Sequence, residues 1–237
     1  MVDRTFHTTR WSLVTRAAAT EPATAARALG ELCEIYWLPL YAFARRSGQD
    51  DHTASDLVQA FCAQLLEHGG LNGATADVGR FRNYLLGAFR HFVGNAARGE
   101  RAQKRGGTVA TWNFDDAAER YALACRGEPD PQQAFERQWA QALLERAQQR
   151  LREEHATPSK RELLAALHPH LLGEHDRASA IEVARQLGST EGAVRVALHR
   201  LRTRLRDLIR DEVAQTVADP GEIDDELRAL QAALAAP

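Results

Sequence analysis

One stretch near the C-terminus, residues 179–210, restricts the fold of this chain more than any other part. Ser179 followed by Glu182 has the pattern of a capping box, which predicts that a helix begins there. Gly188 suits a left-handed helix stop, and Thr190 suits the N-cap of a following helix. The stretch therefore predicts two helices joined by a short turn that contains glycine.

Each of these two helices has one apolar face. The first carries Ile181, Ala184 and Leu187, and the second carries Val194, Leu198, Leu201, Leu205 and Leu208. Four basic residues of the second helix lie away from its apolar face: Arg195, His199, Arg202 and Arg206. The pattern is typical of a helix-turn-helix, with basic residues spaced to face the major groove and its phosphates. The alternative is a helical hairpin with a solvated, arginine-rich surface.

The rest of the chain is also predicted to be helical, because no segment alternates with period two for long enough to form a strand. Helical spacing of apolar residues predicts helices over 10–19, 24–46, 53–68, 79–101, 131–155, 160–172 and 219–234. We therefore expect an all-α fold of two helical domains joined by a flexible linker. The predicted divisions are an N-terminal domain (1–105), a linker (106–130), a C-terminal domain with the helix-turn-helix (131–213) and an acidic extension (214–237).

The net charge of −2 is unusual for a protein that binds DNA alone, since phosphate contacts need an excess of basic residues. The charge is unevenly distributed, however. Basic residues dominate 80–105 and 195–210, and acidic residues dominate from Asp211 onward. This distribution predicts DNA contacts at two places, assisted by another protein.

Several classes of protein are excluded by what the sequence lacks. The longest apolar run, residues 35–44, is too short to span a membrane, and the N-terminus has no apolar segment typical of a secretory signal. The cysteines are far apart and form no CxxC pair, which predicts reduced thiols in a cytoplasmic protein. No nucleophile motif, phosphate-binding loop or dinucleotide fingerprint is present, so we expect no enzyme and no cofactor. The three histidines between 168 and 175 match no common zinc spacing, so we expect no metal.

The predicted helix over 79–101 interleaves aromatic and basic residues. Its aromatic residues are Phe81, Tyr84, Phe89 and Phe92, and its arginines include Arg82, Arg90 and Arg98. Rings that stack on unpaired bases and arginines that hold phosphates suit single-stranded DNA. The alternative is that the rings are core and the arginines merely solvated. We expect the three phenylalanines in the core, and Tyr84 and the arginines at a functional surface.

Three segments, in this order, resemble motifs of bacterial sigma factors of the extracytoplasmic-function group. TASDLVQAFCAQLLE (53–67) is similar to the family's polymerase-clamp-binding helix. RFRNYLLGAFRHFVGNAARGERAQKR (80–105) is similar to its promoter-melting helix. GSTEGAVRVALHRLRTRLR (188–206) is similar to its helix for the minus-35 element. The resemblance covers nearly all of the chain from Ala28 to Arg210.

The resemblance implies a detachable subunit of core RNA polymerase that recognises and opens promoter DNA. It implies polymerase contacts at Asp56, Leu57, Gln59 and Phe61. It implies contacts with the minus-10 strand at Arg82, Tyr84, Arg90, Asn95 and Arg98. It implies contacts with the minus-35 element at Thr190, Glu191, Arg195, His199 and Arg202. An anti-sigma factor is the kind of controlling partner that it implies.

The chain departs from the family pattern at several positions. Tyr84 stands where the family usually has Trp, and His91 stands where it usually has Asn. Residues 53–56 read Thr-Ala-Ser-Asp, whereas an acidic Asp-Ala-Glu-Asp run is typical. The acidic extension after Asp211 is not a general feature of the family.

These departures support two hypotheses. The first is that a kinase phosphorylates Thr53 or Ser55 and so restores negative charge at a helix N-terminus; the alternative is that Thr53 is only an N-cap. The second is that the acidic extension pairs with the basic recognition helix and inhibits DNA binding. Its alternative is a packing helix held by Ile223, Leu227 and Leu230.

A function of another class also fits the helix-turn-helix. The chain would then be a stand-alone transcriptional regulator whose N-terminal domain binds a ligand or dimerises. Such a regulator has no need for a basic, aromatic surface on residues 79–105, and that difference separates the two interpretations.

Overall fold

The structure, a computed structural model, describes residues 22–67, 81–99, 130–172, 177–217 and 219–235. These residues form eight α-helices and no strands. The helices are α1 (Pro22–Arg46), α2 (Asp51–Glu67), α3 (Phe81–Gly99), α4 (Pro131–Glu154), α5 (Pro158–Leu167), α6 (Arg177–Gln186), α7 (Glu191–Ala214) and α8 (Ile223–Ala235). A 3₁₀ turn, His168–His170, follows α5, and another, Pro220–Glu222, leads into α8. The predicted all-helical class is confirmed for this part of the chain.

The start of α2 differs from the prediction. The N-cap is Asp50, whose carboxylate accepts a hydrogen bond from the backbone N–H of Thr53 at 2.8 Å. Thr53 is therefore the third residue of the helix, and the prediction that it caps α2 was wrong. Aspartate ranks above threonine as an N-cap residue, which accounts for the earlier start.

Two further helix starts also fall earlier than predicted. α5 begins at Pro158 rather than Lys160, because the fixed φ of proline suits the first position of a helix. α6 begins at Arg177, two residues before the predicted cap Ser179.

The start of α4 is confirmed, whereas α8 begins at Ile223 rather than at 219, because the 3₁₀ turn Pro220–Glu222 precedes it. The carboxylate of Asp130 accepts a hydrogen bond from the N–H of Gln132 at 2.9 Å, and Pro131 occupies the first helical position. The carboxylate of Asp219 likewise accepts from the N–H of Gly221 at 2.8 Å, where the 3₁₀ turn before α8 begins. Both aspartates satisfy amides that have no partner within the helix.

Contacts between residues divide the chain into two compact units. The first unit draws on Met1–Ala142 and Val213–Pro237, and the second unit is Leu143–Glu212. The predicted boundaries at residues 105, 131 and 213 concern domains that fold independently, so they stay predictions.

Aromatic rings form much of the core of the first unit. Phe61 of α2 packs edge-on against Phe89 of α3 with ring centroids 5.2 Å apart, and Phe43 of α1 meets the same ring at 6.1 Å. Tyr36 of α1 packs edge-on against Phe81 of α3 at 5.5 Å. Such pairs add to the free energy gained by burying the rings, so they hold α1, α2 and α3 together. The predicted core positions Phe81 and Phe89 are confirmed.

The core of the second unit is aliphatic. α7 contributes the whole predicted series of buried residues: Val194, Leu198, Leu201, Leu205 and Leu208. These pack with Leu151 of α4, Leu164 of α5 and Val183 of α6. Burying these side chains is the main favourable contribution to the folding of this unit.

Two predicted segments, the helix over 10–19 and the linker apart from Asp130, lie outside the described residues. None of the described helices combines the length and the apolar content that a membrane crossing requires.

Candidate nucleic-acid interface

The turn between α6 and α7 is closed by backbone hydrogen bonds. The N–H of Ser189 donates to the carbonyl of Ala184 at 2.8 Å, and the N–H of Gly188 donates to the carbonyl of Arg185 at 3.3 Å. This pair of bonds is the Schellman pattern, which places its C′ residue in the left-handed region. Gly188 has φ of +59°, as the prediction of a glycine stop requires.

The start of α7 is fixed by Thr190. Its hydroxyl oxygen accepts a hydrogen bond from the backbone N–H of Ala193 at 3.2 Å, so the predicted cap is confirmed. The direction in which α7 leaves the turn therefore follows from two residues, Gly188 and Thr190.

The buried face of α6 differs from the prediction. Ile181 is 43% exposed, whereas Ala180, Val183 and Ala184 are buried. Together with the half-buried Leu187, these three residues have the spacing of a single helix face. The predicted stripe of Ile181, Ala184 and Leu187 is therefore wrong at its first member.

The outer face of α7 carries a shallow groove. It is lined by Arg195, Val196, His199, Arg200 and Thr203, together with two residues of the next turn. Val196 is 51% exposed, so an apolar side chain lies among basic ones. Val196 and Arg200 were not among the predicted DNA-binding residues, although their spacing of four residues places both on this face.

The predicted minus-35 residues divide into two groups. Arg195 and His199 are exposed, and Arg195 forms an ion pair with Glu191 on the same helix at 3.5 Å. Arg202 instead donates two hydrogen bonds, of 2.6 and 3.1 Å, to the carbonyl of His170. This contact ties α7 to the turn after α5, which gives Arg202 a structural role.

Arg204 holds Glu154 of α4 through two hydrogen bonds of 2.6 and 2.8 Å. Hydrogen bonding by Arg204 lowers the pKa of the Glu154 carboxyl and raises the pKa of Arg204 itself. Arg204 is therefore engaged inside the second unit, and the basic side chains left facing outward include Arg195, Arg200 and Arg206.

The first two residues of the predicted acidic surplus at the C-terminus are also engaged. Glu212 is buried and pairs with Arg146 at 3.3 Å and with Arg150 at 3.1 Å. Asp211 pairs with Arg150 at 3.3 Å. These carboxylates fasten the end of α7 to α4.

The predicted minus-10 residues lie along α3. Tyr84 is half-buried and stacks on Phe81 with ring centroids 6.4 Å apart. Arg90 is exposed; it donates to Gln132 at 3.0 Å and lies over the ring of Phe43 at 5.2 Å. Asn95 is exposed and shares a hydrogen bond of 3.1 Å with His91. Arg98 belongs to α3, but its side chain lies outside the described part.

Arg82 differs from these residues because it is buried. Only 4% of the residue is exposed. Its guanidinium forms an ion pair with Glu226 of α8 and lies over the ring of Trp139 of α4, 4.2 Å from the centroid. In this arrangement Arg82 is not at the surface.

The predicted polymerase surface on α2 is partly exposed. Asp56 is exposed and lies 3.1 Å from the ring nitrogen of His52. Leu57 and Gln59 are half-buried, and Gln59 donates to the hydroxyl of Ser55 at 3.2 Å. Phe61 is a core residue that is 4% exposed, so its ring is not available at the surface.

The first turn of α2 concentrates negative charge around Thr53. The pKa of the Asp50 carboxyl is lowered by hydrogen bonds from the backbone and the side chain of Thr53. Asp51 accepts hydrogen bonds from Tyr41 and, at 3.3 Å, from Arg45. Thr53 and Ser55 are both half-buried.

Among the described residues, no group of three or more His, Cys, Asp or Glu side chains is arranged to hold a metal ion. Comparison of the chain with protein-family models, curated proteins and solved structures finds no match.

Proposed function

We propose that this protein is a sigma factor of the extracytoplasmic-function group, which directs core RNA polymerase to specific promoters and starts transcription. The observation that carries the proposal is the turn between α6 and α7. Gly188 and Thr190 fix its path, and the turn leads into a helix with a continuous buried face and an exposed basic face. A helix-turn-helix built in this way enters the major groove with the first turns of its second helix.

In this proposal α6 and α7 form the helix-turn-helix of a C-terminal domain that binds the minus-35 element. Arg195 and His199 read base edges, because they are exposed and lie within the first three turns of α7. Arg200 and Arg206 contact phosphates and add affinity without sequence information. Thr190 caps the start of the helix, and Glu191 holds the side chain of Arg195 in an ion pair.

An N-terminal domain, joined to the first by a flexible linker, binds the minus-10 strand and the polymerase clamp. Tyr84, Arg90 and Asn95 offer a ring, a cation and an amide along α3, which suits unpaired bases and phosphates. The exposed Asp56 and the half-buried Leu57 offer the clamp a surface on α2. The protein acts in the cytoplasm, needs no cofactor and catalyses no reaction of its own.

Control by a Ser/Thr kinase fits the start of α2. A phosphate adds about −1.5 to −2 charges, and Thr53 lies in the first turn, where the helix dipole favours negative charge. Asp50, Asp51 and the phosphate would then form one acidic surface for the clamp. Control by an anti-sigma factor remains the other proposed route.

The test compares DNA binding with and without core polymerase. Genomic fragments are selected by the purified protein alone, by core polymerase alone and by both together. A sigma factor enriches specific promoter fragments only in the third sample. Specific enrichment by the protein alone supports the stand-alone regulator instead, and no enrichment in any sample rejects both functions.

A further inference from the structure

Three helices of the first unit meet at Arg82. Arg82 of α3, Trp139 of α4 and Glu226 of α8 are each at least 95% buried. The guanidinium of Arg82 forms an ion pair with the carboxylate of Glu226 and lies over the indole ring, 4.2 Å from its centroid. A cation over an indole ring is attracted to its face, so Arg82 is held by a charge and by a ring.

The fully buried face of α8 is small. Its buried residues are Glu226, Leu230 and Ala233, which lie on one face of the helix. The other acidic residues of its first turn, Asp224 and Asp225, are exposed. Of the large apolar side chains of α8, only Leu230 is fully buried, so the apolar contribution to docking is limited.

A buried ion pair of this kind adds little net free energy to a docked contact. Removing two charges from water costs about as much as their attraction returns, and apolar residues in their place often give a more stable interface. When the interface opens, water solvates both charges again. The pair therefore selects one docked position for α8 without making its release very costly.

We propose that α8 is an autoinhibitory helix that covers Arg82 and keeps it from the unpaired promoter strand. The inference rests on the proposed role of α3 in binding that strand. The carboxylate of Glu226 occupies the place at Arg82 that a DNA phosphate takes in the open state. Docked α8 and single-stranded DNA therefore compete for the same guanidinium, and each weakens the binding of the other.

This proposal places the inhibitory contact of the acidic extension on α3, whereas the charge pattern of the sequence placed it on the recognition helix. The alternative is that α8 is a helix that only packs. Both accounts explain why Leu230 is buried. The two differ in the effect of releasing α8 on DNA affinity. Release raises the affinity if α8 is autoinhibitory, and leaves it unchanged if α8 only packs.

The test uses the whole chain with three single substitutions, and a fourth, Arg82→Ala, is added to the first two. Glu226→Gln removes the charge from the pair, and Leu230→Ser weakens the apolar contact while the charge remains. Asp225→Asn is the matched control, because it removes one negative charge from the same helix at an exposed position that pairs with Arg228. Any general gain in DNA affinity from reduced negative charge appears equally in Asp225→Asn and in Glu226→Gln.

Two measurements are made on each protein. Amide hydrogen exchange of α8 reports docking, because a helix of this length has little stability alone. Affinity for a short single-stranded oligodeoxynucleotide reports access to Arg82. We expect faster exchange and an affinity gain of about 5- to 150-fold in Glu226→Gln and Leu230→Ser. We expect wild-type values for Asp225→Asn, and loss of the gain when Arg82→Ala is added.

A further measurement uses the unmodified protein, so it does not depend on whether a variant folds. Saturating single-stranded DNA should accelerate exchange in α8, because the coupling between two sites is reciprocal. Unchanged exchange with DNA bound overturns the proposal. So does a substitution that releases α8 without raising affinity above that of Asp225→Asn, or a Glu226→Gln protein in which α8 stays docked.

None of these measurements contains polymerase, so the two proposals fail separately. If α8 controls single-strand binding but the chain directs no promoter-specific transcription, the sigma function is rejected and the autoinhibitory helix stands. If the chain directs transcription but α8 has no effect on strand binding, the autoinhibitory helix is rejected and the sigma function stands.

Discussion

Arg204 and Glu154 are joined by two hydrogen bonds of 2.6 and 2.8 Å, which fasten the middle of α7 to the C-terminal end of α4. Arg202 fastens the same stretch of α7 to the carbonyl of His170. Two arginines in a run of basic residues therefore hold the helix in place, and their neighbours face outward. This division decides which substitutions should affect DNA recognition and which should affect stability.

Substitution of Arg195 tests recognition by α7. Arg195→Ala should weaken promoter-specific transcription, because a lost base contact costs about 1–3 kcal/mol. Binding to core polymerase should be unchanged. Arg152→Ala, which removes an exposed arginine from α4, serves as the control. An equal loss of polymerase binding in Arg195→Ala would show that the residue is structural.

The ion pair of Arg204 and Glu154 predicts a dependence of stability on pH. Because the pKa of Glu154 is lowered from its ordinary value of 4.5, the pair stabilises the folded state fully above that value. The stabilisation is lost as the pH falls through the lowered pKa. The two side chains are 43% and 38% exposed, so solvent screening limits their contribution to about 0.2–1 kcal/mol.

Urea unfolding of wild type and Glu154→Gln over a range of pH measures this contribution. The two proteins should differ near neutral pH and converge in acid. Glu153→Gln is the control, since Glu153 is a neighbouring exposed carboxylate that accepts from the neutral Gln149. A difference that persists unchanged in acid contradicts the assignment to this carboxylate.

The turn between α6 and α7 predicts opposite effects for two glycines. Gly188→Ala should destabilise the second unit by about 1–2 kcal/mol, because a Cβ disfavours the left-handed region. Gly192→Ala should stabilise it by about 0.5–1 kcal/mol, because Gly192 is helical and a Cβ there meets open space. Chemical denaturation of both variants checks the sign, and two changes of the same sign would contradict the account of the turn.

Phosphorylation at the start of α2 predicts a gain in affinity for core polymerase. Thr53→Asp combined with Ser55→Glu should bind core polymerase more tightly than the unmodified protein, and Thr53→Ala should not. Thr53→Ala also removes the hydroxyl that bonds to Asp50, so its fold is checked by its unfolding midpoint. Tight binding by the unmodified protein, unimproved by the acidic pair, would reject the switch.

Much of the second unit was predictable from the sequence, because its signals are local. Each of these signals depends only on residues a few positions away in the sequence. The glycine stop at Gly188, the cap at Thr190 and the apolar series of α7 are all confirmed. The start of α2 was misplaced because Asp50 and Thr53 both suit an N-cap, and Asp50, the stronger cap residue, begins the helix earlier.

The burial of Arg82 was not predicted, because it depends on residues more than fifty positions away. The signal was nevertheless present in both helices. Arg82 shares a face of α3 with Leu85, Leu86 and Phe89, and Glu226 shares a face of α8 with Leu230. A charged residue on an apolar face of one helix predicts an opposite charge on another, but the sequence does not say which helices meet.

The most direct test of the central claim is run-off transcription with core RNA polymerase, the purified protein and a promoter fragment selected by the two together. We predict a transcript of defined start that requires the protein and is lost when the minus-35 or the minus-10 sequence is scrambled. Core polymerase alone should give no such transcript. Specific binding of the protein to the fragment without any transcript would contradict a sigma function.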